Sequence, residues 1–182
     1  GVHLYSRRTL IEGHMDASTF TVRAACALRL EAWAVRNLGV PAVRVGMRCR
    51  LGAPEGRVIA VGVAGGLIPG LKIGSRISAN HIVNEEGETI WRGKAIKIPG
   101  AIVGKVVSTR KIYDSRKSRE ALFKRTDAIA VEMESHALVG PMYQGCVRTI
   151  SDTPEWPLIF SMCGGLKALL ELRKIRLETE LW

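Results

Sequence analysis

Aromatic side chains make up only 5% of the 182 residues, there are four cysteines and four histidines, and long apolar runs are missing. Each scarcity excludes something. No run approaches the roughly 20 apolar residues that a membrane-crossing helix needs. The N-terminus lacks the charged, apolar and small-residue segments of a secretory signal. Cys26, Cys49, Cys146 and Cys163 lie far apart and form no CxxC pair or Cys/His cluster, so neither a zinc grip nor a disulfide framework is expected. The expectation is a reduced, cytoplasmic protein. His3, His14, His81 and His136 show no ligand spacing; no metal or cofactor is expected, and no histidine is assigned a role.

What is plentiful is positive charge. Lysine and arginine number 27 against 17 acids, for a net +10. Gly13-His14-Met15 reads as a cloning junction, so residues 1–14 are expected to be an added leader; without them the charge is still +9. Such an excess suits a nucleic-acid surface, an anionic substrate or acidic lipid headgroups. The basic residues are scattered and no nucleic-acid module appears, which argues against the first and leaves peripheral membrane contact open. An apolar fraction of 47% supports one continuous core, with residues 15–182 as a single domain.

Apolar and β-branched runs predict strands over 22–30, 43–47, 58–63, 72–83, 101–108, 128–131 and 146–150. The run over 58–63 should stop at Gly65-Gly66. Helices are expected to begin at Glu31, to cover 115–124 and 134–142, and to close the chain amphipathically over 166–181, punctuated at its start by Gly164-Gly165. Strands interleaved with helices predict an α/β domain whose central mixed sheet is flanked by helices on both faces. Residues 48–56 strain this layout, because a parallel crossover usually needs a dozen residues or more; the flanking strands must pair antiparallel or the connection must be unusual.

In open α/β sheets ligands gather beyond the carboxyl ends of strands, so polar residues that follow apolar runs carry the functional signal. Four stand out: Glu31 after ALRL, the glycines of GVAGG (Gly62 to Gly66), the acids of AVEMES (130–135) and Asp152 in RTISDT (148–153). Read alone, each has a plainer explanation. Asp152 in Ser-Asp-Thr-Pro suits a helix N-cap or turn, Glu134 and Glu31 suit the first turn of a helix, and Met133 suits core packing.

Taken in order, GVAGGL, AVEMES and RTISDT resemble the purine nucleoside phosphorylase and methylthioadenosine nucleosidase superfamily. ALRLEAWAV looks like that family's opening strand, and the whole resembles the hopanoid-associated (adenosylhopane nucleosidase) branch most closely. The resemblance covers roughly residues 22–160 and implies a shortened nucleoside phosphorylase-like fold. It also implies cleavage of the N-glycosidic bond of a purine nucleoside, a 5'-substituted adenosine, with release of the free base.

Roles then follow from the resemblance. Asp152 protonates the leaving base at N7, and Glu31 draws the proton from an attacking water. Glu134 takes both ribose hydroxyls, with Met133 against the sugar. Ala64, Gly65 and Gly66 present backbone amides to the nucleoside, the glycines allowing close approach and positive φ. Ser151 and Ile150 border the base, and Tyr113 stacks on it. Glu132 is read as structural, facing the other side of its strand. Phosphate is the co-substrate if the enzyme is a phosphorylase, and the family implies a homo-oligomer.

The sequence also departs from the pattern. Where the family carries Gly-x-Gly, this chain reads Gly46-Met47-Arg48, an arginine that can bind an anion or block close approach. Much of the family's segment between Trp91 and Ala101 is absent as well. These losses keep a second class in view, a non-catalytic nucleoside-binding protein.

Overall fold

The computed structural model describes residues 21–156 and 162–177; the expected leader lies outside them, as does the end of the expected last helix. The elements run β1 (Arg23–Cys26), α1 (Arg29–Ala34), β2 (Ala42–Arg44), β3 (Val58–Gly66), β4 (Arg76–Val83), β5 (Thr89–Arg92) and β6 (Ile102–Ser108). There follow α2 (Arg116–Thr126), β7 (Ala130–Glu132), α3 (Ser135–Leu138), β8 (Tyr143–Asp152) and α4 (Met162–Arg173).

All the strands join one mixed sheet in the order β2-β1-β3-β7-β6-β4-β5, with β8 paired to both β3 and β4. These pairings close β3, β8, β4, β6 and β7 into a ring, parallel at β3–β8, β4–β6 and β6–β7 and antiparallel at β8–β4 and β7–β3. Strand alternation divides the core. Val58 and Ala60 face one cluster with Ile77, Ala79 and Ile150, whereas Ile59 and Val61 face another with Val35, Leu172 and Ile175 behind α1 and α4. On a third side Leu122 of α2 packs with Leu67, Val83 and Val107. The mixed α/β sheet with covering helices is the expected fold class.

Several boundaries differ from expectation, each for a local reason. β1 stops at Cys26 and the helix begins at Arg29, because Glu31 Oε2 accepts the Leu28 amide at 2.8 Å and so caps the first turn. Glu31 is helical as expected, in a helix that opens two residues earlier. β3 runs through Gly65 and Gly66, which pair with Val131 and Ala130 of β7. Neither glycine has positive φ; what each supplies is room for its neighbours.

The connection from residue 45 to 57 is the unusual kind, because β2 and β3 never pair with each other and both lie parallel to β1. The connection carries one irregular turn, Met47–Cys49, in which Arg48 and Cys49 both take positive φ. α3 is one turn long and ends before Gly140, and Gly164 and Gly165 lie inside α4. β5 was not foreseen; it forms a hairpin with β4 across a tight turn in which Asn84 Oδ1 accepts the Glu86 and Glu88 amides.

Candidate functional site

Three strands end at one place. Gly62 of β3 stands opposite Arg148 of β8, and Gly65 opposite Asp152, after a register shift between Ala64 and Gly65. β7 meets the same end of β3 from the other side. Five consecutive residues, Gly62 to Gly66, thereby lie against Glu31 and Arg148 at one end and Asp152 and Arg119 at the other. Gly62 and Gly65 are three positions apart on β3, about 10 Å along the strand, and strand alternation turns the two charge clusters beside them to opposite faces of it.

The first cluster gathers around Arg148, whose side chain is fully buried. Its Nη2 pairs with Glu132 Oε2 and lies 3.3 Å from Glu134 Oε2. Glu31 closes the third side, its Oε1 accepting the Val63 amide at 2.8 Å. A Cβ on Gly62 would lie 2.5 Å from Glu31 Oε1 and 2.7 Å from Arg148 Nη1, so only glycine lets these groups approach. Arg148 Nη1 is a buried donor with no hydrogen-bond partner among the described residues.

Glu132 does not face away from Glu134. β7 ends at Glu132, so strand alternation stops there, and its carboxylate accepts the Glu134 and Ser135 amides at 3.1 Å while holding Arg148. It caps the start of α3 and aims the guanidinium at Glu134.

Electrostatics follow from this crowding. Burial pushes Glu134 up to about 7; Arg148 pulls it down, and Glu132 and Glu31 push it up again. Glu31 is raised by its own burial, against the pull of Arg148 and of the amides that it accepts. Burial also lifts the thiols of Cys49 to about 12 and Cys146 to about 11, which leaves both protonated near neutral pH.

The second cluster centres on Asp152. Its Oδ2 pairs with Arg119 Nη2 of α2, and its Oδ1 lies 2.5 Å from Ser151 Oγ, which in turn lies 3.3 Å from Ala64 O. Arg119 also donates to Tyr113 O at 2.7 Å and to Gly66 O at 3.3 Å. Asp152 caps no helix; the turn after it is closed between Thr153 and Trp156.

The structure thus sets Glu31 and Glu134 in the Arg148 cluster, and Ala64, Gly65, Gly66 and Ser151 with Asp152 in the second, with Ile150 buried opposite Ala64 and Met133 half-buried at the exit of β7. Arg48 joins through its backbone, the amide lying 3.3 Å from Glu134 Oε1, while its side chain is exposed. Its φ of 56° keeps the left-handed conformation that a glycine would take there. Tyr113 points elsewhere, its hydroxyl donating to Glu85 Oε2 at 3.0 Å. A cavity of about 470 Å³ beside α3 is lined by Glu85, Glu86, Ser108, Arg110 and His136, and by neither Glu134 nor Asp152. Glu134 and Asp152 are 5% and 3% exposed.

Sequence reasoning missed both arginines. The signal for Arg148 was a charge inside an apolar strand run, which demands a buried partner. Arg119, inside a polar helix, gave none.

This sheet and helix arrangement is that of the nucleoside phosphorylase and methylthioadenosine nucleosidase structures, in a chain of 182 residues. In particular it is similar to the futalosine hydrolase of Helicobacter pylori strain 26695, with a TM-score of 0.61 at 16% identity, covering 87% of this chain and 96% of that chain. The 5'-methylthioadenosine/S-adenosylhomocysteine nucleosidase of Helicobacter pylori gives 0.59 at 16% identity, over 84% and 94%. That of S. pneumoniae, solved with a transition-state inhibitor, gives 0.59 at 14% identity, over 84% and 98%. No family model matches the chain, and no curated protein matches it. At these identities the likeness defines the fold, and the chemistry rests on the site.

Proposed function

We propose that this protein cleaves the N-glycosidic bond of a purine nucleoside, releasing the free base, with water as the attacking group. One observation carries the reading: a single stretch of β3, Gly62 to Gly66, lies against Glu31 and Arg148 at one end and against Asp152 at the other. A nucleoside needs that separation of roles, because the base and the sugar demand acid–base help at different atoms.

Asp152, protonated from solvent once the nucleoside displaces its pair with Arg119, gives that proton to N7 as the bond from the anomeric carbon to N9 breaks, so the bonding pair leaves on a neutral base. Glu134 takes the ribose hydroxyls and steadies the positive charge that develops on the sugar. Glu31 accepts the proton of the attacking water, and Arg148 Nη1, across Gly62 from Glu31, is the donor available to that water's oxygen. The hydroxide joins the anomeric carbon and the proton count closes. Met133 lies against the sugar. A 5'-substituted adenosine with an apolar substituent is the substrate that the hopanoid-like motifs favour.

A second reading, a nucleoside-binding protein without turnover, draws on the ion pairs themselves. Asp152 is tied to Arg119 and Glu134 to Arg148, and a ligand must compete with both. Phosphorolysis is the third, with the cation supplied by Arg48, whose amide lies beside Glu134 and whose side chain is exposed. A panel of adenosine derivatives, incubated with and without phosphate and read as free base and sugar product, separates them. Hydrolysis gives free base and the 5'-substituted ribose without phosphate, phosphorolysis gives the 1-phosphate of that sugar, and binding alone gives neither.

A further inference from the structure

Helices α1 and α4 share a face left open among the described residues. Leu30 and Trp33 stand one turn apart on α1, and Leu166 and Leu170 one turn apart on α4, exposed by 60%, 40%, 60% and 47%. The Arg173 guanidinium lies 4.5 Å from the centroid of the Trp33 ring, which joins the two apolar pairs into one strip. Large apolar side chains grouped in this way mark a contact surface, whereas single exposed ones do not.

Cations surround the strip. Arg29, Arg36 and Arg44 line a groove with Trp33 on one side, and Lys167, Lys174 and Arg176 line another with Leu170 on the other. The nearby acid of α4, Glu171, is already engaged by Arg76 at 3.1 Å and Lys174 at 2.5 Å. Glu31, the acid of α1, is turned into the core.

Charge selects the occupant. A second copy docked through this face by two-fold symmetry would set one cationic rim against the other, which opposes association. An acidic lipid surface meets both parts of the pattern, because tryptophan and leucine enter the headgroup boundary while arginines reach the phosphates. No helix of the described residues is long and apolar enough to cross a membrane, so the contact lies in the plane of the interface. We propose that the α1/α4 face docks the protein peripherally on membranes rich in anionic lipid, drawn there by the chain's net charge of +10. The inference is independent of the nucleosidase reading.

The test is co-sedimentation of the full chain with phosphatidylcholine vesicles, with or without about one-third phosphatidylserine, across a salt series. Binding is expected only on the anionic vesicles, falling steeply with salt. Reversing Arg29, Arg36, Arg44 and Lys174 to glutamate should abolish it, since each basic residue near such a surface contributes about fivefold. Leu30→Ser with Leu170→Ser should keep binding at low salt and lose it at physiological salt; circular dichroism checks that both variants fold. Failure to bind anionic vesicles at low salt, or unchanged binding by the charge-reversed variant, would overturn the proposal. So would binding confined to an oligonucleotide, or dimerisation through these residues in place of vesicle binding.

Discussion

Gly62 and Arg148 face each other across two parallel strands, and the space that Gly62 leaves is what allows the Arg148 guanidinium and the Glu31 carboxylate to meet. A methyl group there would lie 2.7 Å from the one and 2.5 Å from the other. Gly62→Ala is therefore expected to destabilise the fold by about 1–3 kcal/mol, the range for overpacking a filled interior. Urea denaturation checks it. An unchanged midpoint would mean that the cluster can move aside freely.

Arg148 is the cation on which Glu132 and Glu134 both depend, in the field of Glu31. Arg148→Met leaves buried carboxylates uncompensated, for a predicted loss of about 3–5 kcal/mol. Where the variant still folds, Glu134 should titrate higher than in the wild type, because the pull of Arg148 is gone.

The pH dependence has a definite sign. Glu134 is raised from 4.5 to about 7, so between these values the folded protein binds more protons than the unfolded chain. This group's contribution to stability is fully present below about 4.5 and is lost as pH rises through about 7. Urea titrations at pH 5 and pH 8 should show the wild type losing stability relative to Glu134→Gln by at most about 3 kcal/mol. In the opposite sense, kcat/KM should rise through about pH 7 as the ribose-binding carboxylate ionises.

How far the sequence could be read is visible in these residues. The apolar runs found seven of the strands because β-branched alternation is a local property, and β3 and β8 were merely truncated. β5 escaped because four residues between Gly87 and Gly93 carry too little periodicity; the hairpin turn over 84–88 was its signal. Glu31, Glu134 and Asp152 were legible as polar residues at the ends of apolar runs. Their partners were not, since Arg119 and Arg148 reach their acids across 33 and 16 residues, through pairings that only the closed ring of strands creates. Gly65 looked like a turn, yet its use is to admit Asp152, a distinction of tertiary packing that no local pattern carries.

Arg48 offers a test of the departure from Gly-x-Gly. At φ 56° it holds a left-handed backbone that disfavours a side chain by about 1 kcal/mol, so Arg48→Gly should raise the thermal midpoint slightly. If water is the attacking group, base release by that variant should also be retained in phosphate-free buffer.

The proposed reaction requires Asp152 and Glu134 to act on one nucleoside, the first at the base and the second at the sugar. Free adenine released from a 5'-substituted adenosine by the wild type, Asp152→Asn and Glu134→Gln tests it most directly. Release by the wild type with a loss of about 100-fold or more in Asp152→Asn is the predicted result, the scale on which a general acid acts. Base release by Asp152→Asn at the wild-type rate would contradict it.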